Sequence, residues 1–210
     1  MRNQPFILLI MNCEKYHKKA QFQKEGWLKQ IPSELIYYHV IGKDDLEVDY
    51  IFNDIDRVLY VKTLDDYISL PNKVISAYSA VYSEFIFQYI FKTDDDQHLT
   101  NPYILQQWMN TIINNKPNYG GKLITINNHI SKYYLIHPEL PKNIVLQATQ
   151  YCNGRFYFLS NIAVHNLIQK RVLFKSEYFE DYAIGYYLDS DIKSNFMQLN
   201  NNIFVDSVLI

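Results

Sequence analysis

The sequence predicts a layered α/β fold built on a mainly parallel central sheet. Strand-like apolar runs recur at Phe6 to Asn12, Leu35 to Ile41, Arg57 to Val61, Phe85 to Lys92 and Lys122 to Ile126. Stretches with helical apolar spacing lie between several of them. One run, Phe85-Ile86-Phe87-Gln88-Tyr89-Ile90-Phe91, stops just before three consecutive carboxylates, Asp94-Asp95-Asp96. A buried strand that delivers acids to its carboxyl end places them where open α/β sheets bind ligands.

The first run, Phe6 to Met11, is too short to span a bilayer, and no small-residue cleavage site follows it, so it reads as the opening strand. After Pro71, residues Val74, Ile75, Tyr78, Val81 and Tyr82 keep helical spacing. Asn101-Pro102 opens a second helix, with Asn as cap and Pro in the first turn. Its stripe is Ile104, Leu105, Trp108, Met109, Ile112 and Ile113, with Trp108 assigned to the core. Phe156 to Leu159 reads as a strand, and Ser160-Asn161 caps a helix through Gln169. Tyr178 to Asp181 leads into the stripe Ala183, Ile184, Tyr187 and Leu188. Gly185 inside that helix costs about 1 kcal/mol against Ala, which points to tight packing or a nearby ligand. Asn202 to Ile210 reads as a final strand or an extended tail. No Gly/Ser linker or internal repeat divides the chain, so residues 1–210 read as a single domain of two halves, about 1–100 and 101–210.

Composition narrows the function. The 210 residues, 48% of them hydrophobic, suffice for one sizeable core. A net charge of −2 argues against nucleic-acid binding. Cys13 and Cys152 are too few for a disulfide framework and read as small buried residues. These features lead us to expect a soluble, cytoplasmic protein. With 19 tyrosines, no single Tyr is strong evidence of a site.

Three adjacent carboxylates repel one another, and a divalent cation with oxygen ligands offsets that cost. The alternative is a solvated acidic turn that caps the following helix. Four local patterns bear on the choice: Asp66-Tyr67-Ile68-Ser69-Leu70-Pro71-Asn72-Lys73, then Lys92-Thr93-Asp94-Asp95-Asp96, then Tyr151-Cys152-Asn153-Gly154-Arg155-Phe156-Tyr157-Phe158-Leu159-Ser160, then Glu180-Asp181-Tyr182-Ala183-Ile184-Gly185.

In this order the four patterns, spread over Leu64 to Leu188, resemble glycosyltransferase family 31, the β-1,3-galactosyltransferase, N-acetylglucosaminyltransferase and Fringe group. The resemblance implies a GT-A fold and an inverting transfer of galactose, glucose or N-acetylglucosamine from a UDP-sugar, with Mn²⁺ (or Mg²⁺) as cofactor. The acceptor would be a hydroxyl of a glycan, glycoprotein or glycolipid. Carried over by position, Asp94 and Asp96 are the outer acids of the metal and nucleotide motif. Asp96 is the leading metal ligand, and Asp94 serves metal or nucleotide. Asp95 is a ligand's support or a donor contact. Asp181 becomes the general base, and Glu180 lies beside it on the acceptor side. Lys73 aligns with a lysine placed to meet a diphosphate, or else sits on a solvated helix face. The loop after the first strand, from Asn12, contacts the nucleotide. Tyr151 and Gly154 border the acceptor. Trp27, with Lys18 and Lys19 before it, either walls the donor pocket or packs the first helix.

The match is incomplete. No histidine follows His165 to complete the metal's coordination, so Asp206 becomes the substitute ligand, with water or a C-terminal extension as alternatives. Tyr182 replaces a valine of the motif, and Ser69-Leu70-Pro71 replaces Asn-Leu-Thr. The Golgi anchor and luminal disulfides usual in the family are not seen, in keeping with a cytoplasmic or viral-factory setting. Two other functions remain: a non-catalytic sugar- or nucleotide-binding module on the same fold, and a metal-dependent phosphoesterase. The second needs clustered ligands, and His98, His129 and His137 are scattered along the chain.

Overall fold

A computed structural model describes residues 1–199 and 203–207. The strands of the central sheet are β1 (Phe6–Met11), β2 (Leu35–Gly42), β3 (Tyr50–Asn53), β4 (Val58–Val61), β5 (Tyr89–Asp94), β6 (Tyr119–Ile126), β7 (Thr149–Ser160) and β8 (Phe196–Gln198). They form one eight-stranded sheet in the order β8-β6-β7-β5-β1-β2-β4-β3. The middle, β5-β1-β2-β4, is parallel, while β7 runs antiparallel to both β5 and β6. The fold is therefore the α/β, mostly parallel arrangement expected, and a single sheet runs through both halves of the chain.

The helices are α1 (His17–Glu25), α2 (Leu70–Glu84), α3 (Pro102–Asn115), α4 (Asn161–Gln169), the single turn α5 (Arg171–Phe174), α6 (Glu180–Tyr187) and the short α7 (Ser190–Ser194). Asn101 caps α3 as its sequence suggests, its side chain accepting from the Ile104 amide, and Ser160 caps α4 in the same way. The apolar residues form two layers, one on each face of the sheet. Ile7, Leu9, Ile90 and Tyr157 pack under α2, α4 and α6. Phe6, Leu8, Phe91, Phe156 and Phe158 pack under α3 and around Trp27.

Strand periodicity fixes this split and also places the first of the acids. Successive side chains of a strand point to opposite faces. On β5, Ile90 lies on the α2/α4/α6 face and Phe91 on the other. Lys92 and Asp94 share the parity of Ile90, and Asp95 follows in the turn after β5.

Two sequence expectations change. The run Phe85 to Lys92 is not one strand. Phe85–Ile86 pairs with Arg2–Asn3, and β5 starts only at Tyr89. The break falls where the Gln88 and Tyr89 amides both donate to the Pro5 carbonyl. Trp108 is half-buried at the rim of the core, 5.8 Å from the Phe156 ring, rather than inside it. Gly185 is explained by packing. A Cβ there would lie 2.3 Å from Tyr151 Cβ and 2.6 Å from the Gln150 carbonyl, so α6 can sit on β7 only without one. Phe204–Asp206 forms the expected late strand, antiparallel to Gln97–Leu99. The rest of the stretch from Asn202 to Ile210, apart from Ile203 and Ser207, lies outside the described residues. Both cysteines are free and buried. Among the described residues no helix is long and apolar enough to cross a membrane.

Candidate active site

A cleft of about 890 Å³ opens beside the carboxyl ends of β1 and β5. Its walls include Asn12, the acid triplet, Gly154 and Asp181. Each arrives by a separate structural device. Asn12 follows the last residue of β1. The triplet ends β5, and the Asp95 amide donates to the Met11 carbonyl at 3.0 Å, tying it to β1. The pairing of β7 with β6 shifts register between Cys152 and Tyr157, and this irregularity presents Gly154 and Arg155 to the cleft. Glu180 and Asp181 form the first turn of α6, where the helix dipole favours negative charge.

The three acids have different surroundings. Asp94 meets Lys92 Nζ at 2.7 Å, its side chain 31% exposed to the cleft. Burial pushes its carboxyl up to about 6, against the pull of Lys92, with Glu180 and Asp96 adding to the rise. Asp95, in the turn after β5, pairs with Lys19 of α1 at 3.1 Å. Burial raises it to about 6 as well, opposed by Lys19. Asp96 is exposed and accepts from Gln97 Nε2 at 2.9 Å. The same amide donates to Asp206 Oδ1 at 2.9 Å, so the late strand does bring Asp206 beside the triplet. Asp206 also carries an ion pair with Arg155.

Among the described residues no group of three or more His, Cys, Asp or Glu is arranged to hold a metal ion by itself. Asp94, Asp96 and Asp206 are thus not a ready-made cage: Asp94 pairs with Lys92, and Asp206 with Arg155. An open site of hard oxygen donors is what remains. Mg²⁺ commonly takes one or two carboxylates and completes its shell with phosphate oxygens and water, and carboxylate and water also suit Mn²⁺. Asp96 and Asp206 fit such a site.

Lys73 is not the solvated helix-face lysine that was one reading of it. It is buried, and its Nζ donates to the Asn12 carbonyl at 2.8 Å and to Asp65 at 2.6 Å. Its charge therefore braces the Asn12 loop. Asn12 is 3% exposed, its Oδ1 accepts from the Cys13 amide, and its Nδ2 has no partner. An unpaired buried donor on the wall of a cleft calls for an acceptor from a ligand or water.

Asp181 Oδ2 accepts from the Gly154 amide at 3.1 Å and Oδ1 from the Tyr182 amide at 2.8 Å. Burial raises its pKa, while Lys92 and these two amides oppose the rise. Glu180 is buried, paired with Lys92, and accepts from the Tyr157 hydroxyl at 3.1 Å. Burial raises its pKa too, against Lys92. It lines the cleft but is held from behind. Gly154 packs closely, since a Cβ would sit 3.2 Å from Glu180 Oε1 and 3.3 Å from Asp181 Oδ2 and would press on both carboxylates. Tyr151 is half-buried beside the cleft, and burial lifts its hydroxyl to about 12. Trp27 packs in the core, edge-on to Phe204 at 5.9 Å, and is not among the residues lining the cleft.

Several cleft residues were not singled out from the sequence. Arg155 stands inside the Tyr151–Ser160 motif with no role of its own implied by its position. The scattered His129 and His137 both reach the cleft, and His137 stacks on Tyr67 with ring centres 3.8 Å apart. Lys92 is the largest omission. A lysine interrupting the apolar alternation of a buried strand was the available signal.

Two solved structures share this architecture. A glycosyltransferase involved in glycosylation of the major capsid of PBCV-1 superposes with a TM-score of 0.55 at 10% identity, covering 94% of this chain and 82% of that one. The glycosyltransferase GlyE of Streptococcus pneumoniae TIGR4 gives 0.51 at 11% identity over 95% of this chain, which spans 46% of that one. At such identities the likeness is one of fold, that of a glycosyltransferase. No curated protein matches by sequence. Residues 20–198 match the galactosyltransferase family model, and the chain belongs to that family, glycosyltransferase family 31.

Proposed function

We propose that this glycosyltransferase moves a hexose from a UDP-sugar to an acceptor hydroxyl, with inversion and in a β-1,3-type linkage, assisted by Mn²⁺ or Mg²⁺. One observation carries the proposal: Asp181 and the Asp94-Asp95-Asp96 strand end line the same cleft from different elements. An in-line displacement needs a base on one face of the sugar and charge stabilisation at the leaving group on the other.

Asn12 Nδ2 offers the nucleotide a donor, and Lys73 holds that loop in place. Asp94 borders the nucleotide. Asp95, tied to Lys19, anchors the turn between them. Asp96 and Asp206 would hold the cation, which supplies Lewis-acid charge for the departing diphosphate. Asp181 takes the proton of the acceptor hydroxyl as its oxygen bonds to the anomeric carbon and the bond to UDP breaks. A raised pKa brings this base closer to neutral pH, where proton transfer is better matched. Tyr151 and Gly154 border the acceptor, and Glu180 keeps α6 in place behind them. A glycan, glycoprotein or glycolipid would supply the hydroxyl.

The test is transfer and hydrolysis across a panel of nucleotide sugars with and without Mn²⁺. Asp181→Asn is expected to lower kcat by about 10²–10⁴-fold, the usual worth of a general base. Asp96→Ala is expected to abolish the metal dependence. Turnover that survives both changes would refute the assignment. The non-catalytic module draws on the lack of a three-ligand metal group among the described residues. Calorimetric binding of a sugar nucleotide without transfer to any acceptor would favour it.

A further inference from the structure

The buried ammonium of Lys92 has a role that neither half of the proposed chemistry assigns. Lys92 is 1% exposed. An ammonium has three donors, and here three acceptors from three elements surround it: Asp94 Oδ1 of β5 at 2.7 Å, the Gly154 carbonyl of β7 at 2.8 Å, and Glu180 Oε1 of α6. No donor is left for a substrate. Gly154 is grasped from both sides, its carbonyl by Lys92 and its amide by Asp181. Burial alone would favour the neutral amine, but Asp94 and Glu180 outweigh it and hold the charge.

We propose that Lys92 is a positioning residue that locks β5, the irregular stretch of β7 and the first turn of α6 together, so that Asp181 faces the acid triplet across the cleft. The geometry is specific to a compact ammonium. A bulkier, planar guanidinium with its donors in a fixed fork cannot direct one donor to each of three converging acceptors. Removing Lys92 alone would strand the buried carboxylate of Glu180 and leave the part-exposed Asp94 without its cation, so the informative variant neutralises Glu180 as well.

This inference rests on the proposed transfer for its kinetic readout and has a second readout that does not. Lys92→Met/Glu180→Gln is compared with Glu180→Gln alone and with Lys92→Arg/Glu180→Gln. We expect the methionine double variant to stay folded by near-ultraviolet circular dichroism and to bind UDP with Mn²⁺ within about 5-fold of Glu180→Gln. Its kcat should fall at least about 30-fold below Glu180→Gln with acceptor KM little changed, and arginine should not rescue it. A loss of 30-fold corresponds to about 2 kcal/mol of transition-state stabilisation. Without any assay of transfer, amide exchange at Gly154, followed by NMR, should speed at least about 10-fold while the amides of α2 keep their protection. Unchanged Gly154 exchange overturns the proposal even if the enzyme proves active on another donor. So does a kcat within about 3-fold of Glu180→Gln. Faster Gly154 exchange in a protein that transfers no sugar supports the lock and rejects the transferase reading alone.

Discussion

His39 shows how a single buried group sets a property of the whole chain. It lies on β2 with no exposure and no partner for either ring nitrogen, edge-on to Tyr37 at 5.8 Å. Burial, helped by the charge of Lys24, lowers its pKa to about 3. The unfolded chain takes up this proton near pH 6.5, whereas the folded chain refuses it until about pH 3. Stability therefore falls as pH drops through that window, by up to about 1.4 kcal/mol per pH unit from this group, and the group contributes nothing above it. His39→Leu should flatten that part of the stability–pH curve, measured by urea unfolding between pH 6 and pH 4. A slope identical to the wild type would rule His39 out as its source. The acid triplet makes a related point. Three identical residues in a row meet Lys92, Lys19 and Gln97 respectively, so they are not interchangeable.

Among the elements, α6 is the most constrained. Its first turn carries Glu180 and Asp181, and Gly185 lets it lie directly on β7. The blocked contacts at Gly185 include the Gln150 carbonyl and Tyr151 Cα, which cannot swing aside as a side-chain tip can. Gly185→Ala should therefore destabilise the protein despite the better helix propensity of Ala. Overpacking typically costs about 1–3 kcal/mol, and a lower midpoint in urea would register it. A midpoint at or above that of the wild type would mean that α6 can move off the strand. The irregular pairing of β7 is the other element that matters. Asn153-Gly154-Arg155 could be quoted as a motif, but nothing in those letters says that the ladder to β6 slips there.

For the molecule as a whole, the site is assembled across a sheet whose strands come from both halves of the chain, with β7 of the second half paired to β5 of the first. Ligand binding and global stability should accordingly be linked. At about 100 times its dissociation constant, a ligand that binds only the folded state adds about 2.7 kcal/mol. UDP with Mn²⁺ should then raise the melting temperature by about 5–10 °C, given the response of domains of this size. UDP or Mn²⁺ alone should do less if each completes the other's site. Equal shifts from UDP with and without the metal would remove Asp96 and Asp206 from the donor site.

Many of the strand and helix positions, the caps at Asn101 and Ser160, the acidic strand end and the order of the four motifs were legible in the sequence, whereas the edge strands β3 and β8 were not. They depend on local spacing and on residue chemistry that acts within a few positions. The partners of those residues were not legible, because they come from distant segments. Pleat parity put Asp94 on the side of Lys92, while Asp95, in the turn after β5, met Lys19 of α1. Lys73 turned inward to Asp65 and the Asn12 carbonyl rather than standing free. Asp206 came beside Asp96 through a short antiparallel strand pair. Lys92 became the hub because β5, β7 and α6 converge on its ammonium. Which carboxylate is exposed, which is paired and which faces the cleft follows from burial and long-range contact, and only the packed fold specifies those.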